Sequence, residues 1–387
     1  MNKLESYGFL SVQLQENFSN LCDVIPAAQD IARLGKGQQI DNVSWRFLDR
    51  SLTKTEDGLP VYVGWNITEL FREGTYGKIY RSSRMIVGKQ SSGTFTVVEE
   101  ATDVIVKQTL AENGILSAND ILSHTSEGLL HVLAWRTMQS TATPWSIPQP
   151  YEVFGDYDEQ KKGWLSMYLS MSYVRGRTLY TTLYKCWKKE TPNENGKILI
   201  EILAQIAYIL YHLQKVLRLN HRDVKVNNIL IRLRPEPFLM ELSEHRCMSM
   251  FEVVLIDFGF ACVGCPPPKE PVTVFQAGSW FSMGDMCCKL GRDIAQLLFC
   301  IHCYFPLDKF LTPKLYEEIR GWMQIPWNSG VADGLHGFTK TGKPRRGGGA
   351  PEYHTGIYEF LRRPDVDPEA CEPKTVFIKC CGLISSL

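Results

Sequence analysis

The sequence has no excess of charge of either sign, since 42 Lys and Arg residues balance 42 Asp and Glu residues. Without a net charge, no overall field draws the chain to nucleic acid or to an anionic membrane, and we expect neither as a partner. The chain also lacks an unbroken apolar run of bilayer length. Its most apolar stretch, residues 198–214, contains Glu201, Gln205 and His212, which favours a buried helix over a membrane span.

A signal-peptide core is missing as well, because the opening MNKLESYGFLSVQLQ interrupts each short apolar run with a polar residue. We therefore expect an intracellular protein, cytoplasmic or nuclear, in which the twelve cysteines are reduced thiols. The composition, 44% hydrophobic and 22% charged, is that of an ordinary globular protein. At 387 residues the chain is long enough for two lobes, and nothing in it indicates an oligomeric state.

Local patterns divide the chain into segments. Residues 1–60 carry no chemical motif, and we treat them as an N-terminal extension of unknown role. From Asn66 onward, short β-type runs between turns rich in Gly, Ser and Lys predict a small antiparallel sheet. A helix follows, with Ser117 and Asp120 as a capping box, and then two further strands, YEVFGDYD and WLSMYLSMSYV.

Beyond Arg175 the chain becomes mainly helical, with helices predicted over about 196–218 and 291–304. Between them, NILIRL and EVVLID predict two short strands. These strands flank an insertion at residues 234–245 that contains Pro and Glu.

The most chemically specific stretch is NHRDVKVNNIL, at residues 220–230. Its loop carries Asp223 and Asn228, and Asp257 ends the apolar strand VVLID 34 residues after Asp223. Asp223 is suited to accept a proton from an attacking hydroxyl, while Asn228 and Asp257 offer the hard oxygen ligands that Mg²⁺ prefers. Lys225 could neutralise negative charge on a phosphoryl group during its transfer.

The ordered set His221-Arg222-Asp223-Val224-Lys225, Asn228 and Asp257-Phe258-Gly259 resembles the catalytic and magnesium loops of eukaryotic-type protein kinases of the Ser/Thr type. The resemblance implies an α+β, bilobal protein-kinase-like fold over residues 61–387. Its N-lobe, about 61–173, would hold a small antiparallel sheet and one helix, and its C-lobe, about 174–387, would be mainly helical. ATP and Mg²⁺ are the implied cofactors, with Asn228 and Asp257 as the implied metal ligands.

The resemblance also implies a lysine on an earlier strand, and Val104-Ile105-Val106-Lys107 supplies it. Lys107 would bind the α- and β-phosphates and would be held by a carboxylate of the following helix. Glu127 is the favoured candidate for that carboxylate, and Glu112 is the alternative. The implied catalytic residues are therefore Asp223, Lys225, Lys107 and Glu127.

A glycine turn is implied before Lys107, and FREGTYGKIY provides Gly74 and Gly77, whose backbone amides could approach phosphates. Arg72 stands where the first glycine of the family pattern would be. The segment LSMSYVRGRTL resembles the kinase hinge, with Met171 at the back of the adenine pocket. The other residues implied to bind the nucleotide are Ile79, Ile105, Lys107, Ser172, Val174 and Leu230.

Later in the chain, Asp293 resembles the buried Asp that opens a central C-lobe helix and fixes the backbone of the His-Arg-Asp motif. The activation and substrate segment would lie at residues 261–285, which lack the usual Ala-Pro-Glu and have GSWF near its place. Thr273 and Ser279 are the available phosphorylation sites there.

The function implied by the resemblance is an enzyme, a serine/threonine protein kinase that transfers the γ-phosphate of Mg-ATP to protein substrates. The missing glycine and the missing Ala-Pro-Glu leave open a pseudokinase scaffold that binds a nucleotide or a partner without turnover. A small-molecule kinase is a third possibility, which Lys225 disfavours. The protein substrate, the pathway and the regulation are not specified by the sequence.

Overall fold

The computed structural model describes residues 31–385, apart from residues 41, 50, 52, 55–57, 75–76, 93, 112–113, 265–272, 279–286, 324–360 and 362–367. The first half of the chain forms strands β1 (Ala32–Ile40), β2 (Val43–Leu48), β3 (Thr53–Lys54), β4 (Pro60–Gly74), β5 (Gly77–Lys89) and β6 (Phe95–Leu110), helix α1 (Ala118–Gln139), and strands β7 (Pro150–Asp158) and β8 (Gly163–Ser172).

The second half continues with β9 (Arg177–Thr178), helices α2 (Leu179–Cys186) and α3 (Pro192–Leu217), and strands β10 (Leu219–Asn220), β11 (Ile229–Leu242), β12 (His245–Leu255), β13 (Cys262–Gly264) and β14 (Thr273–Gln276). Helices α4 (Arg292–Tyr304), α5 (Leu307–Phe310) and α6 (Pro313–Met323), a 3₁₀ turn (Glu369–Cys371) and helix α7 (Pro373–Ile384) follow. The chain is thus of mixed α and β structure.

The first eight strands form one sheet in the order β2-β1-β7-β8-β6-β5-β4-β3, and a further pairing of β2 with β4 closes it into a barrel. Strands β1 and β7 run parallel, while the other neighbours in this sheet are antiparallel. The prediction of a small, simple antiparallel sheet is therefore wrong in size and in closure. Residues 32–54, assigned to the extension, contribute three strands to this barrel, and the domain limits 1–60 and 61–387 stay predictions.

The closure of the barrel depends on a close approach of strands β2 and β4, which the sequence did not predict. Strands β2 and β4 pair through Arg46 with Trp65 and through Phe47 with Gly64. A Cβ atom on Gly64 would lie 2.6 Å from the ring of Phe47, so glycine makes room for the aromatic ring. Closing the sheet pairs the strand edges that an open sheet would leave exposed.

Helix α1 connects the barrel to the rest of the protein. Its predicted capping box is confirmed: the Ser117 hydroxyl accepts a hydrogen bond from the Asp120 N–H, and the Asp120 carboxylate accepts from the Ser117 N–H. Gly128 lets the helix lie close to the barrel, since a Cβ there would be 2.5 Å from a methyl of Val153 on β7. Further along, Leu133 packs into the core of the C-terminal half. The helix is therefore fixed on both sides.

The C-terminal half is built around helix α3, which the sequence predicted over about 196–218 and the structure extends to Pro192–Leu217. Within the described residues, α3 is the one helix long and apolar enough to cross a membrane by length and composition, but most of that window is buried inside the protein. Its buried Gln205 accepts a hydrogen bond from the Val253 N–H and donates one to the Phe251 carbonyl 3.0 Å away. This polar pair attaches α3 to strand β12.

The prediction of an insertion at residues 234–245 is wrong, because strands β11 and β12 both continue into this range. Strands β11 and β12 form one long antiparallel hairpin that pairs as far as Leu242 with His245. Its register shifts between Leu233 and Phe238, where Pro235 and Pro237 stand. Proline cannot donate a hydrogen bond to a neighbouring strand, but it is tolerated at such irregularities. Strand β11 therefore continues past both prolines.

Candidate active site

Lys107 lies between two carboxylates from different parts of the chain. Its Nζ atom is 2.6 Å from Oε1 of Glu127 on α1 and 2.9 Å from Oδ1 of Asp257, which follows β12. The side chain of Glu127 is only 7% exposed, and that of Lys107 is 17% exposed. Of the two candidate carboxylates, Glu127 therefore meets Lys107, while Glu112 lies outside the described residues.

The charges of this cluster support one another. Burial alone would lower the pKa of Lys107, but the charges of Asp257 and Glu127 outweigh it and raise that pKa well above the ordinary value. Burial would raise the pKa of Asp257, but the charge of Lys107 outweighs it and holds that pKa far below the ordinary value. Burial raises the pKa of Glu127 against the opposing effect of Lys107. Lys107 is thus firmly protonated and Asp257 firmly ionised at neutral pH.

A second cluster surrounds Asp223, whose side chain is 1% exposed. Its Oδ2 atom accepts hydrogen bonds from Lys225 Nζ and from Asn228 Nδ2, each at 2.7 Å. Asn228 Nδ2 also donates to the Asp223 carbonyl at 3.1 Å. The loop of residues 223–228 is thereby held as a compact turn, with a cation and an amide on the buried carboxylate.

The two clusters are joined through the backbone. The Ile256 N–H donates a hydrogen bond to the Asn228 carbonyl at 3.0 Å. This bond attaches the residue before Asp257 to the loop that contains Asp223 and Asn228. The charge of Lys225 also contributes to lowering the pKa of Asp257. The two loops therefore form one site, in which groups from residues 107, 127, 223–228 and 257 lie together.

The backbone of the site is held in a costly conformation. Arg222 has a φ of 62° and Asp257 a φ of 70°, in the left-handed region, where a non-glycine residue costs roughly 1 kcal/mol or more. Asp293 stabilises the first of these, because its two carboxylate oxygens accept from the His221 and Arg222 N–H groups, each at 2.9 Å. The predicted contact of Asp293 with the His-Arg-Asp backbone is thus confirmed.

The rings of His131, Phe258 and His221 pack against one another beside the site. The Phe258 ring lies 5.2 Å from the ring of His131 on α1 and 4.8 Å from the ring of His221, measured between centroids. His131 Nε2 is 2.8 Å from the Pro148 carbonyl, to which the neutral ring donates. Burial lowers the pKa of His131 to about 4 and also lowers that of His221. Both rings are therefore neutral packing groups near pH 7.

The oxygen atoms of Asn228 and Asp257 fit the requirements of a hard cation. Asn228 uses its Nδ2 group on Asp223, and Asp257 uses Oδ1 on Lys107. Among the residues that the structure describes, neither Asn228 Oδ1 nor Asp257 Oδ2 takes part in a hydrogen bond. An amide oxygen and a carboxylate oxygen are ligands of the kind that Mg²⁺ accepts beside phosphate oxygens, so the residues present fit the implied metal.

The implied glycine turn is a hairpin between β4 and β5, in which Gly74 pairs with Gly77. Gly77 has a φ of 152°, and a Cβ there would lie 2.0 Å from the Gln108 carbonyl oxygen. Any other residue at position 77 would require strand β6, which carries Gln108, to move. Arg72, in the place of the family's first glycine, pairs with Ile79 across the same hairpin and is exposed.

Several of the implied nucleotide-binding residues share one face of the barrel. Ile79 pairs with Lys107, and Ile105 pairs with Met171. Because cross-strand partners and residues two apart point the same way, these four side chains lie on the same face. Leu230 lies on β11 and is half-buried, and its contact with that face stays a prediction.

The implied hinge follows directly from β8. The Ser172 N–H donates to the Gln149 carbonyl at 2.8 Å, and the Tyr173 N–H donates to the Asp103 carbonyl at 3.0 Å. Within the described part of the chain, the Val174 N–H has no acceptor. The Ser172 N–H is therefore already used within the protein, and the contact of Ser172 and Val174 with a base stays a prediction.

The sequence analysis missed a contact behind Lys107. The N–H of Gly278 donates to Oγ of Ser123 on α1 at 2.9 Å, and Arg222 donates to Gln276 Oε1 at 2.9 Å. Ser123 stands one helical turn before Glu127, and that spacing was the available signal. Of the implied phosphorylation sites, Ser279 lies outside the described residues and the side chain of Thr273 is not described.

Comparison with known proteins adds little to this geometry. No family model matches the chain, and no curated protein matches it. Among solved structures, the chain is similar to the BubR1 kinase domain, with 13% sequence identity and a TM-score of 0.35 over 96% of this chain and 98% of that one. A likeness of that size does not establish a relationship, so the proposals below depend on the contacts within the described residues.

Proposed function

We propose that this chain is an ATP-dependent protein kinase that transfers the γ-phosphate of Mg-ATP to Ser or Thr hydroxyls of protein substrates. The observation that carries the proposal is the position of Lys107 between Glu127 and Asp257, in one site with Asp223. A structural ion pair needs only two partners, whereas this site brings together four polar groups from separated segments of the chain. Three of them, Lys107, Glu127 and Asp257, have shifted pKa values, and clusters of groups with shifted pKa values occur preferentially at functional sites.

Each group has a role that its geometry permits. Lys107 would bind the α- and β-phosphates, and Glu127 would hold its ammonium group in place. Asp223 would orient the substrate hydroxyl and accept its proton, while Lys225, bonded to the same carboxylate at 2.7 Å, would neutralise charge on the transferred phosphoryl group. Catalysis would rest on positioning and electrostatics, since little covalent chemistry falls to the protein.

Asn228 Oδ1 and Asp257 Oδ2 would hold the magnesium ion, which supplies neutralisation of the phosphate oxygens when bound. Ile79, Ile105 and Met171 would contact the base from the barrel side, and Val174 would donate to it from the hinge. Gly74 and Gly77 would let the hairpin approach the phosphates without a Cβ.

A pseudokinase scaffold is the second candidate, and one observation favours it. Lys107 is bonded to both Glu127 and Asp257, so a nucleotide phosphate has to compete with Asp257 for the ammonium group. A small-molecule kinase is disfavoured by Lys225, which resembles the lysine of protein kinases that act on Ser and Thr.

The test is phosphate transfer from labelled ATP with Mg²⁺, with and without generic protein substrates. Asp223→Ala and Asp257→Ala serve as loss-of-function variants, and Asp308→Ala, at an exposed carboxylate on α5, serves as the matched control. Transfer to protein that the control retains and the other two variants lose supports the proposal. Nucleotide binding without transfer contradicts it in favour of the scaffold, and ATP consumption that requires a metabolite contradicts it in favour of a small-molecule kinase.

A further inference from the structure

Two cysteines from distant parts of the chain meet where strand β12 and helix α7 pack together. Cys247 lies on β12 and Cys381 on α7, 134 residues further along the chain. Both are free thiols, and the S–H group of Cys247 donates a hydrogen bond to the sulfur of Cys381. Neither residue belongs to the candidate active site, so the proposed function gives this pair no role.

Helix α3 holds both elements that carry these thiols. Glu201 on α3 accepts hydrogen bonds from the Met250 N–H at 2.6 Å and from the Ser249 hydroxyl at 2.9 Å, both on β12. On the other element, the Phe377 ring of α7 lies 5.8 Å from the Tyr208 ring of α3, measured between centroids. Because one helix fixes both elements, the folded chain keeps the two sulfur atoms in contact before any covalent bond joins them.

The two thiols differ in acidity and in access. The hydrogen bond from Cys247 lowers the pKa of Cys381 below its ordinary value, although burial opposes this effect. The same hydrogen bond, together with burial, raises the pKa of Cys247. Cys381 is 8% exposed and precedes the exposed Gly382, whereas Cys247 is 2% exposed. Since the thiolate is the nucleophile, Cys381 is suited to meet a small oxidant first, with Cys247 behind it as the second thiol.

We propose that Cys247 and Cys381 form an oxidation site, at which hydrogen peroxide joins β12 to α7 through a disulfide bond. The Cys381 thiolate attacks one peroxide oxygen, the O–O bond breaks, and the departing hydroxide takes up the proton that Cys381 released. The product is a sulfenic acid at Cys381. The Cys247 sulfur then attacks the Cys381 sulfur, the S–O bond breaks, and the hydroxide leaves as water with the proton of Cys247. The two thiols lose two electrons in total, and one peroxide becomes two water molecules.

The disulfide connects the hairpin of β11 and β12 to the helix that ends the described part of the chain. A bond between residues 134 positions apart restricts the unfolded chain and thereby stabilises the folded one. A thiol reductant reverses the bond by exchange. The site thus makes the stability of the C-terminal half depend on peroxide, whether or not the chain transfers phosphate.

Other cysteines of the chain separate contact from reactivity. Cys262 on β13 and Cys287 also form a thiol–thiol hydrogen bond, but both are fully buried, and burial raises the pKa of each well above its ordinary value. Cys380 is the chain neighbour of Cys381, yet it is fully buried, and burial raises its pKa in the same way. These thiols are therefore expected to stay reduced under conditions that oxidise Cys381.

The experiment treats the reduced full chain with hydrogen peroxide, alkylates the remaining thiols in denaturant and maps the peptides by mass spectrometry. We expect a cross-linked pair of peptides that contains Cys247 and Cys381, with two of the twelve thiols lost. Cys262 and Cys287 should react at least about tenfold more slowly, because one pKa unit changes the thiolate fraction about tenfold. The midpoint of thermal unfolding should rise by about 5 °C on oxidation and return after treatment with dithiothreitol.

Three variants assign the roles of the two thiols. Cys381→Ser should abolish the cross-link and leave Cys247 reduced. Cys247→Ser should stop the reaction at the sulfenic acid of Cys381, which dimedone traps. Cys380→Ala is the matched control on the same helix, and it should form the cross-link as the wild type does.

Three results would overturn the proposal. The first is a wild type in which Cys247 and Cys381 stay reduced while the exposed Cys186 is oxidised. The second is equally fast cross-linking of Cys262 with Cys287, and the third is a bond between Cys247 and Cys381 that forms only in denaturant. The wild-type peptide map requires no substitution, so it decides the question even if a variant fails to fold.

Discussion

Lys107 on β6 and Glu127 on α1 form an ion pair, with Nζ and Oε1 2.6 Å apart, between the barrel and the helix that joins it to the C-terminal half. The lysine reaches Asp257 at 2.9 Å as well. A mostly buried cation with two carboxylate partners is sensitive to the loss of any member, because each remaining charge would then be buried without full compensation.

Replacing Lys107 with Met is therefore expected to cost stability as well as activity. Breaking a buried ion pair costs about 3–5 kcal/mol, and the partial exposure of Asp257 places the expected loss near the lower end, about 3 kcal/mol. Phosphate transfer should fall by at least about 100-fold, because the phosphates would lose their cation. Urea unfolding and labelled-ATP transfer measure the two effects.

Lys78→Met is the matched control, because among the described residues Lys78 forms one ion pair, with Glu73 at 3.6 Å, and the two side chains are 32% and 63% exposed. Exposed pairs of this kind contribute at most about 1 kcal/mol. In the Lys107→Met background, Glu127→Gln should restore part of the lost stability by removing the buried charge. Equal stabilities of Lys107→Met and Lys78→Met would show that the Lys107 cluster is not a buried ion pair.

Asp223→Asn is expected to separate binding from transfer. The substitution keeps the shape of the side chain and its neighbours Lys225 and Asn228, but it removes the proposed base, so the proposed transfer should fall by about 10²–10⁴-fold. The affinity for Mg-ATP should change little, because Asp223 is not among the implied nucleotide or metal ligands. Calorimetric titration and initial rates test both statements, and a parallel loss of affinity and rate would place Asp223 in the binding site instead.

The parts of the site that depend on local chemistry were predictable from the sequence. The capping box of Ser117 and Asp120 follows from residue type and spacing, whereas the contact of Asp293 with the backbone at residues 221–222 was implied by the resemblance to protein kinases; the structure confirms both. The choice of Glu127 over Glu112 rested on its place within a helix, which is also a local property.

What the sequence could not give is long-range pairing. The closure of the barrel depends on Phe47 meeting Gly64, and β1 runs parallel to β7, more than 100 residues away. Strand β1 contains Gly and Gln and shows no clear alternation, so it carried no strand signal strong enough to compete with a loop. Strand β2 does alternate apolar and polar residues from Val43 to Phe47, but this run is too short to show what it pairs with. The spacing of Ser123 and Glu127 indicates a shared helix face, but the partner of Ser123, Gly278, lies 155 residues further along the chain and could not be read from that spacing.

Gly77→Ala is expected to destabilise the β4–β5 hairpin. Gly77 has a φ of 152°, and an added Cβ would lie 2.0 Å from the Gln108 carbonyl oxygen, so strand β6 would have to move. Gln108 is the neighbour of Lys107 on that strand. We expect a loss of about 1–3 kcal/mol and a raised KM for ATP. Gly321→Ala, on helix α6 with no atom within 4 Å of the added Cβ, should be neutral or slightly stabilising. Thermal unfolding of both variants tests this, and a neutral Gly77→Ala would mean that the hairpin accommodates a side chain.

Acid is expected to destabilise the protein through His131. Burial lowers the pKa of this histidine from 6.5 to about 4, so between these values the unfolded chain binds a proton that the folded protein does not. Stability therefore falls as the pH decreases from 6.5 toward 4, by up to about 3 kcal/mol from this group. Its contribution is constant above pH 6.5.

His131→Gln should remove that part of the pH dependence. At pH 8 the variant is expected to be about 1 kcal/mol less stable than the wild type, because it loses the ring contact with Phe258, while the Gln amide can still donate to the Pro148 carbonyl. Near pH 4.5 the difference should vanish or reverse, because only the wild type has this buried imidazole to protonate. His131→Leu should show the same change in slope with a larger constant loss, since the Pro148 carbonyl then has no donor. Urea unfolding at both pH values measures the slopes, and identical pH dependence in the wild type and both variants would show that His131 is not held neutral by its burial against Phe258.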